Sequence, residues 1–315
     1  MPMSWMPAAE PAPRDCPETP ALLKIIEARA RQIDDFTVGR LLPAAGQRMV
    51  GPFIFFDHMG PARLAPGHGM DVRPHPHINL ATVTYLFEGA ISHRDTLGSH
   101  QVIRPGEVNW MTAGRGITHS ERFEKARAQG DALHGIQSWV ALPREDEEVE
   151  PEFIHYGREV LPSFEEPGVF MRLLAGEAFG ISSGVRTHSP LFYLHWQLGK
   201  GATVQMPGAY VERAAYVVAG SVMVDGQRFG AGQMLVFAQG GDAALTAEDS
   251  SIVMGLGGDP VGERFVDWNF VSSSKERIEQ AKADWRAGRM KLPDLDNGEF
   301  IPLPDGPPPP APPFS

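Results

Sequence analysis

The 315-residue sequence contains one cysteine, Cys16, so no internal disulfide can form. Its opening stretch, MPMSWMPAAEPAPRD, has neither the basic start nor the apolar run of a secretion signal. Both absences fit a reducing cytoplasm. No apolar run approaches the roughly 18 to 20 residues that span a bilayer, so a membrane-embedded protein is not expected. Basic residues are in deficit, 28 Lys and Arg against 39 Asp and Glu, and the formal charge is -11. Without a basic stripe to follow a phosphate backbone, direct nucleic-acid binding is excluded as the main activity. Helical periodicity is scarce too. It is convincing only in SSSKERIEQAKADWRAG, where Ser272 to Ser274 offer an N-cap and Gly288 a stop.

What the chain does have is a 42% hydrophobic content, enough for a real core. Its 34 glycines and 29 prolines divide it into short β-branched and aromatic runs such as ATVTYLF, GIQSWVAL, PLFYLHWQL and QMLVFA. That pattern predicts many short strands in a sandwich or barrel, with one helix near the C-terminal end. Residues 1–20 are Pro/Ala-rich and read as a flexible N-terminal segment, and 291–315 read as a Pro-rich tail, mobile or draped over the surface.

The middle repeats itself. ATVTYLFEGAISHRD followed by IRPGEVNWM has the same plan as RAAYVVAGSVMVDGQ followed by FGAGQMLVF, about 130 residues later, which predicts a duplicated β-domain. The halves are read as 21–142 and 156–290. Between them PREDEEVEPEF, within 143–155, reads as a solvated acidic linker.

Two histidine-bearing pairs carry the chemistry. His75 and His77 stand at i and i+2 in RPHPHINL, and His119 and Glu121 repeat that spacing in GRGITHSER. Alternate residues of a strand share a face. Two such pairs on neighbouring strands can place three imidazoles and one carboxylate around a single ion. That donor set suits Fe(II), Mn, Co, Ni, Cu or Zn rather than Mg or Ca. An isolated HxH is more often a pair of loop histidines, and the second pair is what raises this one above that reading. His93 is a reserve ligand. His58, His100 and His134 are expected in loop or supporting roles.

The repeat supplies a control. Aligned on the turn glycines Gly89 and Gly220, His75 and His77 correspond to Met206 and Gly208; aligned on Gly106 and Gly232, His119 corresponds to Leu245. None of these replaces an imidazole, so one ion per chain, in the first half, is expected. Phe53, Phe55, Phe56 and Met111 are candidates for the wall of a cavity beside it.

Taken together, GPFIFFDHMGPA, VRPHPHINLATVTYLFEG, NWMTAGRGITHSER, LHGIQSWVALP and WNFVSSSKERIEQAKADW resemble the pirin family from about Pro20 to Trp285. The resemblance implies a bicupin: two antiparallel jelly-roll barrels facing each other, the metal only in the N-terminal one, ligated by His75, His77, His119 and Glu121. Fe(II) is the foremost expectation for that metal. The resemblance also implies three functions and selects none of them. One is a quercetin 2,3-dioxygenase that opens a phenolic flavonol ring with O2, Glu121 serving as the catalytic base. Another is an iron-binding, redox-sensing regulator that acts through a protein partner, and the third is a modulator of metabolic enzymes. A monomer is expected, because the two barrels can cover each other's faces.

Overall fold

The computed structural model describes residues 14–15, 20–33, 36–241 and 243–304. Cys16, most of the N-terminal segment and the proline run from 305 onward lie outside the described residues. No described helix is long and apolar enough to cross a membrane.

The two halves build the same object twice. In the first, a seven-stranded sheet orders Glu152–Tyr156, Val108–Thr112, Leu80–Glu88, Asp131–Ala141, Phe53–Leu64, Phe36–Leu42 and Arg29–Ile33. It faces a four-stranded sheet of Val72–His77, Ile117–Arg122, Ile91–Asp95 and His100–Ile103. In the second, a nine-stranded sheet centred on Glu212–Ala219, Ser251–Gly258 and Leu191–Leu198 faces four strands, Thr203–Gln205, Ala244–Ala247, Ser221–Val224 and Gln227–Gly230. The pairings within both barrels are antiparallel. This is the duplicated, mostly-β architecture the repeat implies.

Strand alternation decides which residues face where. In Leu80–Glu88, Val83 and Tyr85 point outward and join Val108, Trp110 and Ile136. From the second large sheet, Tyr193, Ala214, Tyr216, Met254 and Leu256 meet them in one buried cluster, so the two barrels are cemented sheet to sheet. Phe53 packs on Tyr193 with ring centroids 5.2 Å apart, and Phe56 on Tyr216 at 5.3 Å. Both phenylalanines therefore belong to the seam between the barrels, whereas Phe55 and Met111 do face the interior of the first.

Polar contacts also cross the seam. His58 Nδ1 lies 2.7 Å from the Tyr216 hydroxyl and its Nε2 2.8 Å from His134, while Tyr85 and His195 Nδ1 are 2.7 Å apart. Burial pushes His58 down to about 4 and His195 to about 3, so these imidazoles are neutral.

The chain does not divide cleanly at the expected boundaries. Leu22–Glu27, expected within the first half, pairs with Gln233–Phe237 of the second barrel's sheet. The acidic segment is only partly solvated: Glu152–Tyr156 pairs with Val108–Thr112, and buried Glu147 binds Arg264 at 3.0 Å and the Ser273 amide at 2.7 Å. The helix forms as expected over Lys275–Arg286, capped by Ser274, which accepts from the Arg277 amide; Gly288 beyond it takes a left-handed φ of 66°. From there the chain returns across the first barrel. Ile301 donates to the Pro74 carbonyl at 2.9 Å, and Trp285 Nε1 to the Ile301 carbonyl at 3.0 Å. Residues 291–304 of the expected tail are thus draped over the protein.

Candidate metal centre

The strands Val72–His77 and Ile117–Arg122 are paired, with Ile117 opposite His77 and His119 opposite His75. The i, i+2 spacing then turns His75, His77 and His119 to one face. One nitrogen of each lies within 4.8 Å of the others, and ring centroids are 4.4 to 5.1 Å apart. All three are buried. Among the described residues no other group of three or more His, Cys, Asp or Glu converges in this way.

Hydrogen bonds fix the tautomers. His75 Nδ1 is 2.8 Å from the Arg73 carbonyl and His77 Nδ1 2.9 Å from the Asn269 carbonyl. Carbonyls only accept, so both Nδ1 atoms carry the proton, which leaves Nε2 as the ligand atom each can offer. Behind His119, His93 Nε2 stands 3.0 Å from Asp95 Oδ2, and His93 Nδ1 faces His119 Nδ1 at 3.4 Å. Burial acts to raise Asp95, but hydrogen bonds from His93 and Ser99 hold it below the ordinary carboxylate range. An ionised Asp95 takes the His93 Nε2 proton as its hydrogen-bond partner, which leaves His93 Nδ1 to accept from His119. The His119 Nε2 is then a buried lone pair with no hydrogen-bond partner among the described residues.

Three imidazole nitrogens facing one point could hold a transition metal ion. Burial, reinforced by the neighbouring imidazoles, holds His77 and His119 well below the usual imidazole range and keeps them in the ligating form. His93, the reserve ligand of the sequence reading, stands behind His119 as its support. The signal that could have assigned it that role is the i, i+2 spacing of His93 and Asp95.

Glu121 follows His119 across a β-bulge and lies opposite His93. Its carboxylate is outside the group of mutually close ligand atoms. Burial pushes it up to about 7, with a hydrogen bond to Thr84 pulling the other way. Trp139 packs edge-on against His77 and stacks on Phe55 at 4.0 Å, forming the aromatic wall. Arg115 points away to solvent and pairs with Glu150.

Among the described residues the second barrel has no counterpart. Met206 and Leu245, which correspond to His75 and His119, are packed in an apolar core with Trp196, Val217 and Leu235.

Comparison with known proteins gives one answer. A family model described as Pirin matches residues 35–140, and one described as Pirin C-terminal cupin domain matches 193–291. A pirin-like protein of Caulobacter vibrioides is 60% identical over 284 residues, 89% of this chain and 99% of its own. The crystal structure of a quercetin 2,3-dioxygenase from Acinetobacter baumannii superposes with a TM-score of 0.83 at 31% identity, covering 89% of this chain and 94% of that one. A bacterial pirin from Escherichia coli, solved in complex with nickel(II), shares the fold with a TM-score of 0.59 at 20% identity, over 75% of this chain and 98% of its own.

Proposed function

The chain belongs to the pirin family, and we propose that its first barrel is a metal-dependent dioxygenase centre that opens the ring of a flavonol-like phenol with O2. The observation that carries this reading is the convergence of one ring nitrogen from each of three buried histidines, with Glu121 two residues after His119 on the same strand. His75, His77 and His119 would hold one divalent ion per chain, Fe(II) foremost, with Glu121 as a fourth ligand. The ion supplies Lewis acidity toward the phenolic oxygen and a redox partner for O2. Support also comes from the similarity to the Acinetobacter baumannii quercetin 2,3-dioxygenase.

The chain's own residues perform the remaining work. Glu121, buried two residues after His119, would take the proton of the flavonol 3-hydroxyl as general base. Thr84 lies against the Glu121 carboxyl. Trp139 and Phe55 offer a flat apolar surface to a planar ring. Burial of the centre excludes bulk water from the deprotonated phenol.

The test is loss of quercetin absorbance by protein loaded with Fe(II), Mn, Co, Ni or Cu, in air and under nitrogen. Oxygen-dependent loss with release of carbon monoxide, abolished in Glu121→Gln, is expected. No oxygen-dependent loss with any of these ions overturns the reading.

A further inference from the structure

The inner wall of the first barrel carries a polar row that spans six consecutive strands. Arg40, Asp57, Gln137, Thr84, Asn109 and His155 are successive cross-strand partners in register. Cross-strand partners share a face. Their outward neighbours Val83, Tyr85, Val108 and Ile136 are buried in the seam between barrels, so the row faces the interior.

Both ends of the row are closed. Arg40 makes two hydrogen bonds of 2.8 Å to Asp57, and His155 Nδ1 stands 2.8 Å from Asn109 Oδ1. The middle is open. Thr84 donates to Gln137 Oε1 at 2.8 Å and touches Glu121, while Gln137 Nε2 and Asn109 Nδ2 donate to no described residue. Gln137 and Glu121 keep partial exposure although they point inward.

The second barrel shows that the fold does not need this row. At the same places in the same strand order stand Leu173, Leu194, Gly255, Ala215, Leu235 and Ile25, again in register. All the side chains are apolar, and the Trp196 ring closes the space, since a Cβ at Gly255 would lie 2.5 Å from it. Inward-facing polar groups with spare donors are costly when nothing binds them. One copy of a duplicated fold carries them beside the histidine cluster, and the other fills the same volume with hydrocarbon.

We propose that Gln137, Thr84 and Asn109 form the subsite that holds the organic ligand of this barrel, and that they select an aromatic ring bearing 1,3-related (meta) oxygens. The proposal rests on the reading that the first barrel takes a phenolic ligand. Neighbouring members of the row stand one strand apart, about 4.8 Å; meta hydroxyls on a benzene ring are separated by about that distance, and ortho hydroxyls by little more than half of it. A ring laid along the row meets Thr84 with one oxygen and Asn109 with the other; the Thr84 hydroxyl, its proton given to Gln137 at 2.8 Å, accepts from the first, and Asn109 Nδ2 donates to the second. Glu121, against Thr84, then lies at the ligand's reacting end.

The experiment is equilibrium binding to the metal-loaded full chain under nitrogen, read by tryptophan fluorescence. Three flavonols serve as probes: galangin, with meta hydroxyls on its fused ring; 3,3′,4′-trihydroxyflavone, with an ortho pair on its pendant ring; and 3-hydroxyflavone. Galangin is expected to bind about tenfold more tightly than the other two, as two added hydrogen bonds of ordinary net strength give. Thr84→Val and Asn109→Leu should bring galangin down to the level of 3-hydroxyflavone at unchanged metal content, and Thr84→Ser should keep its advantage. Equal affinities for the three probes, no binding of any, or metal-replete variants that bind galangin like the wild type overturn the subsite. The probe comparison and Thr84→Ser stand alone if Asn109→Leu fails to fold. Nothing is turned over in this measurement, so failure of the ring-opening reaction leaves its outcome independent.

Discussion

Replacing Asp296 by Asn tests how the returning C-terminal segment secures the strand that carries His119. Asp296 accepts from Arg122 Nε at 2.7 Å, from Arg122 Nη2 at 2.8 Å and from the Ser120 hydroxyl at 2.6 Å. Ser120 and Arg122 alternate with His119 and Glu121, so the clamp grips the back of the strand whose front carries a ligand. Both charged side chains are only 13% exposed, so solvent screens this pair far less than a surface one. Hydrogen bonds from Arg122 raise it above its ordinary value in return, and they hold Asp296 below the usual carboxylate range against the opposing effect of burial.

Asn keeps one acceptor oxygen, and Arg122 keeps Glu299 at 3.0 Å, so the expected loss is about 2 kcal/mol rather than that of a fully orphaned charge. For a domain of this size that is a drop in Tm of about 4 to 8 °C. The sign with pH follows from the depressed value. The contribution is complete above the unfolded-state value of about 3.9 and is lost as pH falls through the folded one. Thermal unfolding of both proteins in EDTA should therefore show a constant gap from pH 8 to 5 that narrows below about 4. A gap under about 1 °C at neutral pH would refute the clamp, as would additive effects of Asp296→Asn and Arg122→Met in a double-mutant cycle.

The ligand assignment predicts that His77→Ala and His119→Ala each lose bound metal in elemental analysis; wild-type content in either removes that residue from the site. His93→Ala should retain the ion with about 10- to 100-fold weaker affinity in a chelator competition, and an unchanged affinity would deny His93 its supporting role. The neutral histidines of the seam predict acid lability. His58 near 4 and His195 near 3 bind protons more readily once unfolded, so stability should begin to fall as pH drops below about 6.5 and continue through their folded values. An unfolding midpoint that is flat from pH 7 to 4 would contradict this.

Features with a local signature were legible in the sequence. Alternation in ATVTYLF marked the strand, the i, i+2 spacing brought His75, His77 and His119 together, and the repeat placed Met206 and Leu245 where the second barrel is filled. The same alternation already carried Thr84 of the polar row, but its meaning depends on partners from other strands, Asn109 and Gln137. Non-local pairings left no trace in composition. Leu22–Glu27 reads as an ordinary strand, and nothing in it specifies Gln233–Phe237 as its neighbour. Glu147 sits in a run of acids that looks solvated, and only the folded chain brings Arg264 and Ser273 to it. Phe53, Phe55 and Phe56 looked equivalent, yet the pleat and local irregularities send two of them to the seam and one to the cavity.

The dependence of the metal centre on Asn269 and Asp296 has a consequence for the order in which the protein is made. Ser120 and its clamp partner are 176 residues apart in the chain, so at ribosomal speeds of about 5 to 20 residues per second the first barrel waits roughly 10 to 35 s for the groups that lock it. During that interval His77 lacks the carbonyl that sets its tautomer, and the strand bearing His119 lacks its backing. The three-histidine cluster with its supports in place is thus a property of the finished polypeptide, not of the first barrel as it leaves the ribosome.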